Sequence, residues 1–135
     1  MREARFSDVS TLVEMARVCH SNSIHAGIPF IAKDTAKLFT LLIGEPEGCV
    51  LIGQGFFAGQ ASPFHFNFGV TRLIEVGWDA EPMASLVSSL RRWCEARKIS
   101  EFSLACEDAG RGEALSRLYR MHGGNRVNQA FVWEV

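Results

Sequence analysis

A chain of 135 residues with 47% apolar and 21% charged side chains fits one compact globular domain, residues 1–135, and is too short for two. Folding such a chain buries roughly two-thirds of its unfolded surface, so the composition excludes a mini-protein held together by disulfides or metal. A net charge of −1 and a pI near 6.4 give no long-range pull toward nucleic acid or an anionic membrane.

In chain order, a short strand is predicted over Arg2–Phe6, followed by a helix capped by Ser7 with Asp8 in its first turn and running to about Ser21. Val9, Leu12, Val13, Ala16 and Cys19 supply its buried stripe, with His20 at the edge. A loop carrying His25, Gly27 and Pro29 leads to a second helix, capped by Asp34 and stopped at Gly44 with Pro46 beyond. Leu38, Leu41 and Leu42 of this helix are expected to point inward.

From Cys49 the pattern turns to strands. Cys49-Val50-Leu51-Ile52 and Phe56-Phe57-Ala58-Gly59-Gln60 flank the turn Gly53-Gln54-Gly55, predicting a hairpin. Phe64, Phe66 and Phe68 alternate with His65 and Asn67, which predicts a strand with three rings on one face, next to a strand from Val70 to about Gly77. The strongest helix runs from Pro82 to about Lys98, burying Met83, Leu86, Val87, Leu90 and Cys94. A strand at Glu101–Cys106, a helix at Glu113–His122 ending at Gly123, and a strand at Asn128–Val135 complete the order β-α-α-β-β-β-α-β-α-β. This order implies an α/β chain of the α+β kind, a mixed sheet covered by helices.

The charged start Met1-Arg2-Glu3-Ala4-Arg5 lacks the apolar core of a secretory signal, so export is not expected and a cytoplasmic location is. No apolar run approaches the roughly 20 residues that cross a bilayer. Cys19, Cys49, Cys94 and Cys106 sit among apolar neighbours without C-x-x-C spacing and read as reduced core residues, with no metal site expected. The arginines and lysine of the last third, among them Arg91, Arg92, Lys98 and Arg117, read as solvated helix faces, so nucleic acid is not an expected partner.

Three local sequences resemble the GCN5-related N-acetyltransferase superfamily. They are the opening Arg2-Glu3-Ala4-Arg5-Phe6-Ser7-Asp8-Val9, the long-helix segment Ala84–Cys94, and Ala114-Leu115-Ser116-Arg117-Leu118-Tyr119-Arg120-Met121-His122-Gly123-Gly124, where a tyrosine precedes a glycine turn. The resemblance implies acetyl-CoA in a splay between the fourth and fifth strands. Val76, Gly77, Trp78, Met83 and Ala84 then fall at the cofactor, and a main-chain N–H near Gly77 or Trp78 faces the oxygen of the thioester carbonyl. It also implies a primary amine as acceptor, on a small molecule or a protein. On this resemblance Glu75 is the expected base, brought toward a useful pKa by burial, and Tyr119 the expected acid for the leaving thiolate. Their structural alternatives are a solvent-facing strand position for Glu75 and, for Tyr119, a place in the buried stripe Leu115, Leu118, Tyr119 and His122.

The family's loop has the form R/Q-x-x-G-x-G/A. Here Trp78-Asp79-Ala80-Glu81-Pro82-Met83 has no glycine, carries two acids and places a proline where an N–H donor is needed. Two functions therefore stand side by side: an acyl-CoA-dependent N-acyltransferase with an atypical cofactor loop, and a non-catalytic binding or assembly module on the same fold. The second has a protein partner or self-assembly in place of an acceptor and includes a phage-encoded form, a bacteriophage virion or host-takeover component. Glu107 and Asp108, after the fifth predicted strand, and His65 and Asn67 are further candidates for acceptor contacts, with a cap, a solvated turn or an exposed hairpin as their structural alternatives.

Overall fold

The computed structural model describes residues 1–64, 66–80, 82–105 and 112–125. They fall in two compact units, Met1–Ala105 and Cys106–Val135. In the first unit, strands β1 (Arg2–Glu3), β2 (Gly48–Gly53), β3 (Gly55–Phe64), β4 (Asn67–Ala80) and β5 (Glu101–Phe102) form one sheet in that spatial order. Neighbours are antiparallel except β4 and β5, which run parallel, so the sheet is mixed as the element order predicts.

Helices α1 (Val9–Ser21) and α2 (Ala32–Gly44) share a core with one face of this sheet: Leu12, Val13, Ala16, Phe39 and Leu42 meet Val50, Ile52, Phe56 and Ala58. Strand alternation sends Cys49, Leu51 and Phe57 to the opposite face. There α3 (Met83–Ala96) buries Met83, Leu86, Val87, Leu90, Trp93 and Cys94. Burial pushes the Cys94 thiol up to about 11, and pushes Cys49 up as well, which fits core thiols. Gly55 closes the β2–β3 turn at φ +127°, a conformation open to glycine. No helix among the described residues is long and apolar enough to cross a membrane.

Several expectations shift. The start of α1 is not capped by Ser7: a 3-10 turn, Phe6–Asp8, precedes the helix, and the Asp8 carboxylate accepts the Arg5 N–H at 2.8 Å and a paired contact from Arg2. In α2 the cap position is Ile31, and Asp34 lies in the first turn. The buried stripe there is Phe39 and Leu42 with Ala36 and Ile43 packed beside them, while Leu38 and Leu41 are exposed, so the stripe sits one residue around from the predicted one. Phe66 lies in the turn between β3 and β4; it and Phe68 are 83% and 80% exposed, because the chain reverses where a continuous strand was expected. Pro82 is the N-cap of α3 and not its first residue, β5 is two residues long, and β4 extends to Ala80.

In the second unit, α4 (Gly112–Met121) ends as predicted. Gly123 takes φ +84°, its N–H reaches the Arg120 carbonyl and the Gly124 N–H reaches the Tyr119 carbonyl at 2.8 Å. The predicted strand Asn128–Val135, together with Cys106, lies outside the described residues.

Candidate functional site

The site is a fork in the sheet. β4 and β5 pair at Arg72/Glu101 and Leu73/Phe102, and the Ser103 N–H donates to the Leu73 carbonyl at 3.2 Å. A regular parallel ladder would next join the Ala105 N–H to the Glu75 main-chain carbonyl. Instead that N–H donates to Glu75 Oε2 at 2.5 Å, so a side chain spans the gap between the two strands. Beyond this point β4 keeps its pairing with β3 as far as Ala80.

A bulge lies in the same stretch. Gly59 pairs with Glu75 and Ala58 with Gly77, which leaves Val76 as an extra residue. Ladder alternation then fixes the main-chain directions. Thr71 and Leu73 point their carbonyls to the β5 side, where Ser100 and Ser103 meet them, and Ala61 donates toward β2. Counting along β3 turns Ala58 and Phe56 toward β4, so Gly77 and Asp79 face β3 while Trp78 directs its N–H and carbonyl to the fork side. From α1, Cys19 Sγ approaches the Trp78 carbonyl at 3.6 Å. The Trp78 indole shares the α3 face with its partner Phe57, half-buried within the strand. A Cβ built at Gly77 meets nothing within 4 Å among the described residues.

α3 begins next to this strand. Pro82 caps it with φ −76° and ψ 150° and has no N–H, and its carbonyl already receives the Ser85 and Leu86 N–H groups at 3.0 and 3.4 Å. Met83 and Ala84 are thus the helix-start donors without an intrahelical partner. Asp79 is exposed just before them. Tested against acetyl-CoA, these residues fit the acyl-thioester end: among the described residues the pairing of β4 with β5 stops at Leu73, and there is room at Gly77. Among the described residues they offer the pyrophosphate two main-chain donors, those of Met83 and Ala84.

The sequence-predicted residues Glu75, Val76, Gly77, Trp78, Met83 and Ala84 therefore cluster on the end of β4 and the start of α3. Tyr119 is half-buried on α4, in the second unit. His65, Glu81, Glu107 and Asp108 lie outside the described residues. Asn67 accepts the Gly69 N–H at 3.0 Å through Oδ1, a turn contact. In the α1–α2 loop, Phe30 stacks on His20 at 5.5 Å and lies under Arg17 at 4.9 Å. Sequence reasoning missed Cys19 and Ala105: neither contact has a local sequence signal, because each joins residues 30 or more apart. The bulge had one, the glycine that follows Val76 inside the strand.

Solved structures match the chain over nearly its whole length. A predicted acetyltransferase from Clostridium acetobutylicum, solved with acetyl-CoA, superposes with a TM-score of 0.68 at 18% identity, over 98% of this chain and 94% of its own. An aminoglycoside acetyltransferase from an uncultured soil metagenomic sample gives 0.68 at 12% identity, over 99% and 96%. A transcriptional regulator from Bacillus halodurans gives 0.73 at 16% identity, over 99% and 97%. No family model and no curated protein matches the sequence. The likeness establishes the fold, that of the GCN5-related N-acetyltransferases.

Proposed function

We propose that this chain, built on the N-acetyltransferase fold, is an acyl-CoA-dependent N-acyltransferase that moves an acetyl group to a primary amine. The fork carries the reading: β4 leaves β5 beside a bulge, so the Glu75 carboxylate and the Trp78 main-chain N–H lie on the same edge of the strand. Bound acetyl-CoA would supply an acyl group already activated as a thioester. The Trp78 N–H is the donor for the negative charge that builds on the carbonyl oxygen when the amine attacks. Glu75 accepts the amine proton, directly or through water, as the C–N bond forms. Tyr119 is the acid that the family resemblance implies for the leaving thiolate, which would take the tyrosine's hydroxyl proton as the C–S bond breaks. Val76, Gly77, Met83 and Ala84 line the donor's path. A cytoplasmic location, where acyl-CoA and amine acceptors are both present, accords with this activity.

Titration with acetyl-CoA tests the reading. At 100 times its dissociation constant the ligand adds about 2.7 kcal/mol of stability, which raises Tm by several degrees. Tyr119→Phe is expected to cut turnover about 100-fold with Tm unchanged. No shift at millimolar acetyl-CoA would remove the enzyme reading.

The alternative, a non-catalytic binding or assembly module such as a bacteriophage virion component, draws on a different observation. Phe66 and Phe68 stand exposed together at the β3–β4 turn, an arrangement suited to contact with another protein. In that case acetyl-CoA produces no shift, and the double substitution Phe66→Ser, Phe68→Ser abolishes association in sedimentation experiments.

A further inference from the structure

We infer that Glu75 is the pin that holds the fork at its working width, a positioning role separate from any proton it accepts. This rests on the proposed acyl transfer for its consequence in catalysis, but the pin itself rests on the fork alone. The last regular rung of the β4–β5 ladder is Ser103 N–H to Leu73 carbonyl, at 3.2 Å. Two residues farther on, the Ala105 N–H meets Glu75 Oε2 in place of the Glu75 carbonyl. At the point where the rung would form, a glutamate side chain in place of main chain joins the two segments. A main-chain rung there would keep the strands at the usual ladder spacing of about 4.8 Å, too close to admit a ligand. Without the carboxylate, the Ala105 N–H would lose this bond.

The geometry also explains why the pin is a glutamate. Gly59, opposite Glu75 on β3, has no side chain with which to crowd it, and the Val76 bulge follows immediately, where the strand's alternation resets. One carboxylate oxygen serves the pin, and the same carboxylate is the proton acceptor of the proposed transfer. The two roles thus make opposite demands on substitutions. Glutamine keeps an oxygen acceptor at the same reach and loses the basic carboxylate. Aspartate keeps the carboxylate and withdraws it by one methylene.

Glu75→Gln and Glu75→Asp in the full chain separate these roles, read by amide hydrogen exchange at Ala105 and by steady-state kinetics with acetyl-CoA. The pin predicts that Glu75→Gln retains the wild-type exchange rate at Ala105 and the wild-type KM for acetyl-CoA. Glu75→Asp should speed that exchange about tenfold or more and raise KM about tenfold, the loss expected for one hydrogen bond to a charged acceptor. A fall in kcat confined to Glu75→Gln, with KM and exchange unmoved, supports the pin and assigns proton transfer to the same carboxylate. If Glu75→Asp leaves Ala105 exchange at the wild-type rate, the pin is overturned. If the wild-type protein transfers no acetyl group, the enzyme reading falls, and Ala105 exchange in the two variants still decides the pin.

Discussion

Glu75 stands directly across the β3–β4 ladder from Gly59, where a Cβ would lie 2.7 Å from the Ile74 carbonyl oxygen and 2.8 Å from the Phe57 ring. Because main chain is the nearer obstacle, alanine at this position has to push β4 itself. Gly59→Ala is therefore expected to cost about 1–3 kcal/mol in urea denaturation. Gly77→Ala meets open space and should change stability by less than about 1 kcal/mol. Its methyl instead occupies room beside the bulge, so kcat/KM should fall about tenfold, some 1.4 kcal/mol. The reverse pattern, with Gly77→Ala unfolding the protein and Gly59→Ala neutral, would contradict the bulge at Val76.

Lys98 closes α3 in the left-handed conformation, at φ +56°. The Lys98 N–H reaches the Glu95 carbonyl at 3.2 Å and the Ile99 N–H reaches the Cys94 carbonyl at 2.9 Å, the same pair of bonds that Gly123 and Gly124 make at the end of α4. Lysine holds a position where its Cβ is strained, and glycine is not. Lys98→Gly should stabilise the protein by about 1 kcal/mol, seen as a higher Tm. Gly123→Ala should destabilise it by a similar amount. A lower Tm for Lys98→Gly would mean that the lysine side chain contributes more than its backbone costs.

Periodicity revealed the helices well because their stripes are long: Leu12, Val13 and Ala16, and the run from Met83 to Cys94, are buried as the 3.6-residue spacing requires. It misplaced α2 by one residue, since Leu38, Phe39, Leu41, Leu42 and Ile43 are all apolar and composition alone does not choose among overlapping stripes. Phe66 reads as strand for a related reason: alternating aromatics fit a pleat, and only the β3–β4 register shows that the chain turns at Phe66, between Phe64 on β3 and Phe68 on β4. The candidate site was legible as a stretch, from Glu75 to Ala84, because a family resemblance marked it. Its working detail was not. The pin to Ala105 and the approach of Cys19 to Trp78 depend on register between distant segments, which no local pattern encodes.

Asp8 couples stability to acid. Its bond with the Arg2 guanidinium, aided by the Arg5 N–H, holds its carboxyl down at about 2, below the ordinary 3.8. A depressed folded value means that the stabilisation is complete above about pH 4 and drains away as pH falls through about 2. Asp8→Asn removes that dependence. The wild-type and variant stabilities should therefore differ at pH 6 and converge toward pH 2 in urea titrations. A difference that stays constant across this range would show that Asp8 contributes through packing and not through its charge.

The start of α3 predicts an unusual preference among acyl donors. Phosphates bound at a helix start draw on several main-chain N–H groups and the helix dipole. Here Pro82 contributes no N–H, Ser85 and Leu86 donate to the Pro82 carbonyl, and Asp79 adds a negative charge nearby. The acyl-pantetheine arm, by contrast, is proposed to run along the fork side of β4 beside the Val76 bulge. The phosphates should then add little: acetyl-CoA and S-acetylpantetheine should bind within about tenfold of each other, and acetyl-CoA affinity should be nearly independent of salt. Pro82→Gly combined with Asp79→Asn restores one donor and removes one charge. It should tighten acetyl-CoA about tenfold, leaving S-acetylpantetheine unchanged. Calorimetric titration of both donors checks this directly. A preference of 100-fold or more for acetyl-CoA, steeply weakened by salt, would show that the diphosphate has a strong site of its own despite the proline and the acid.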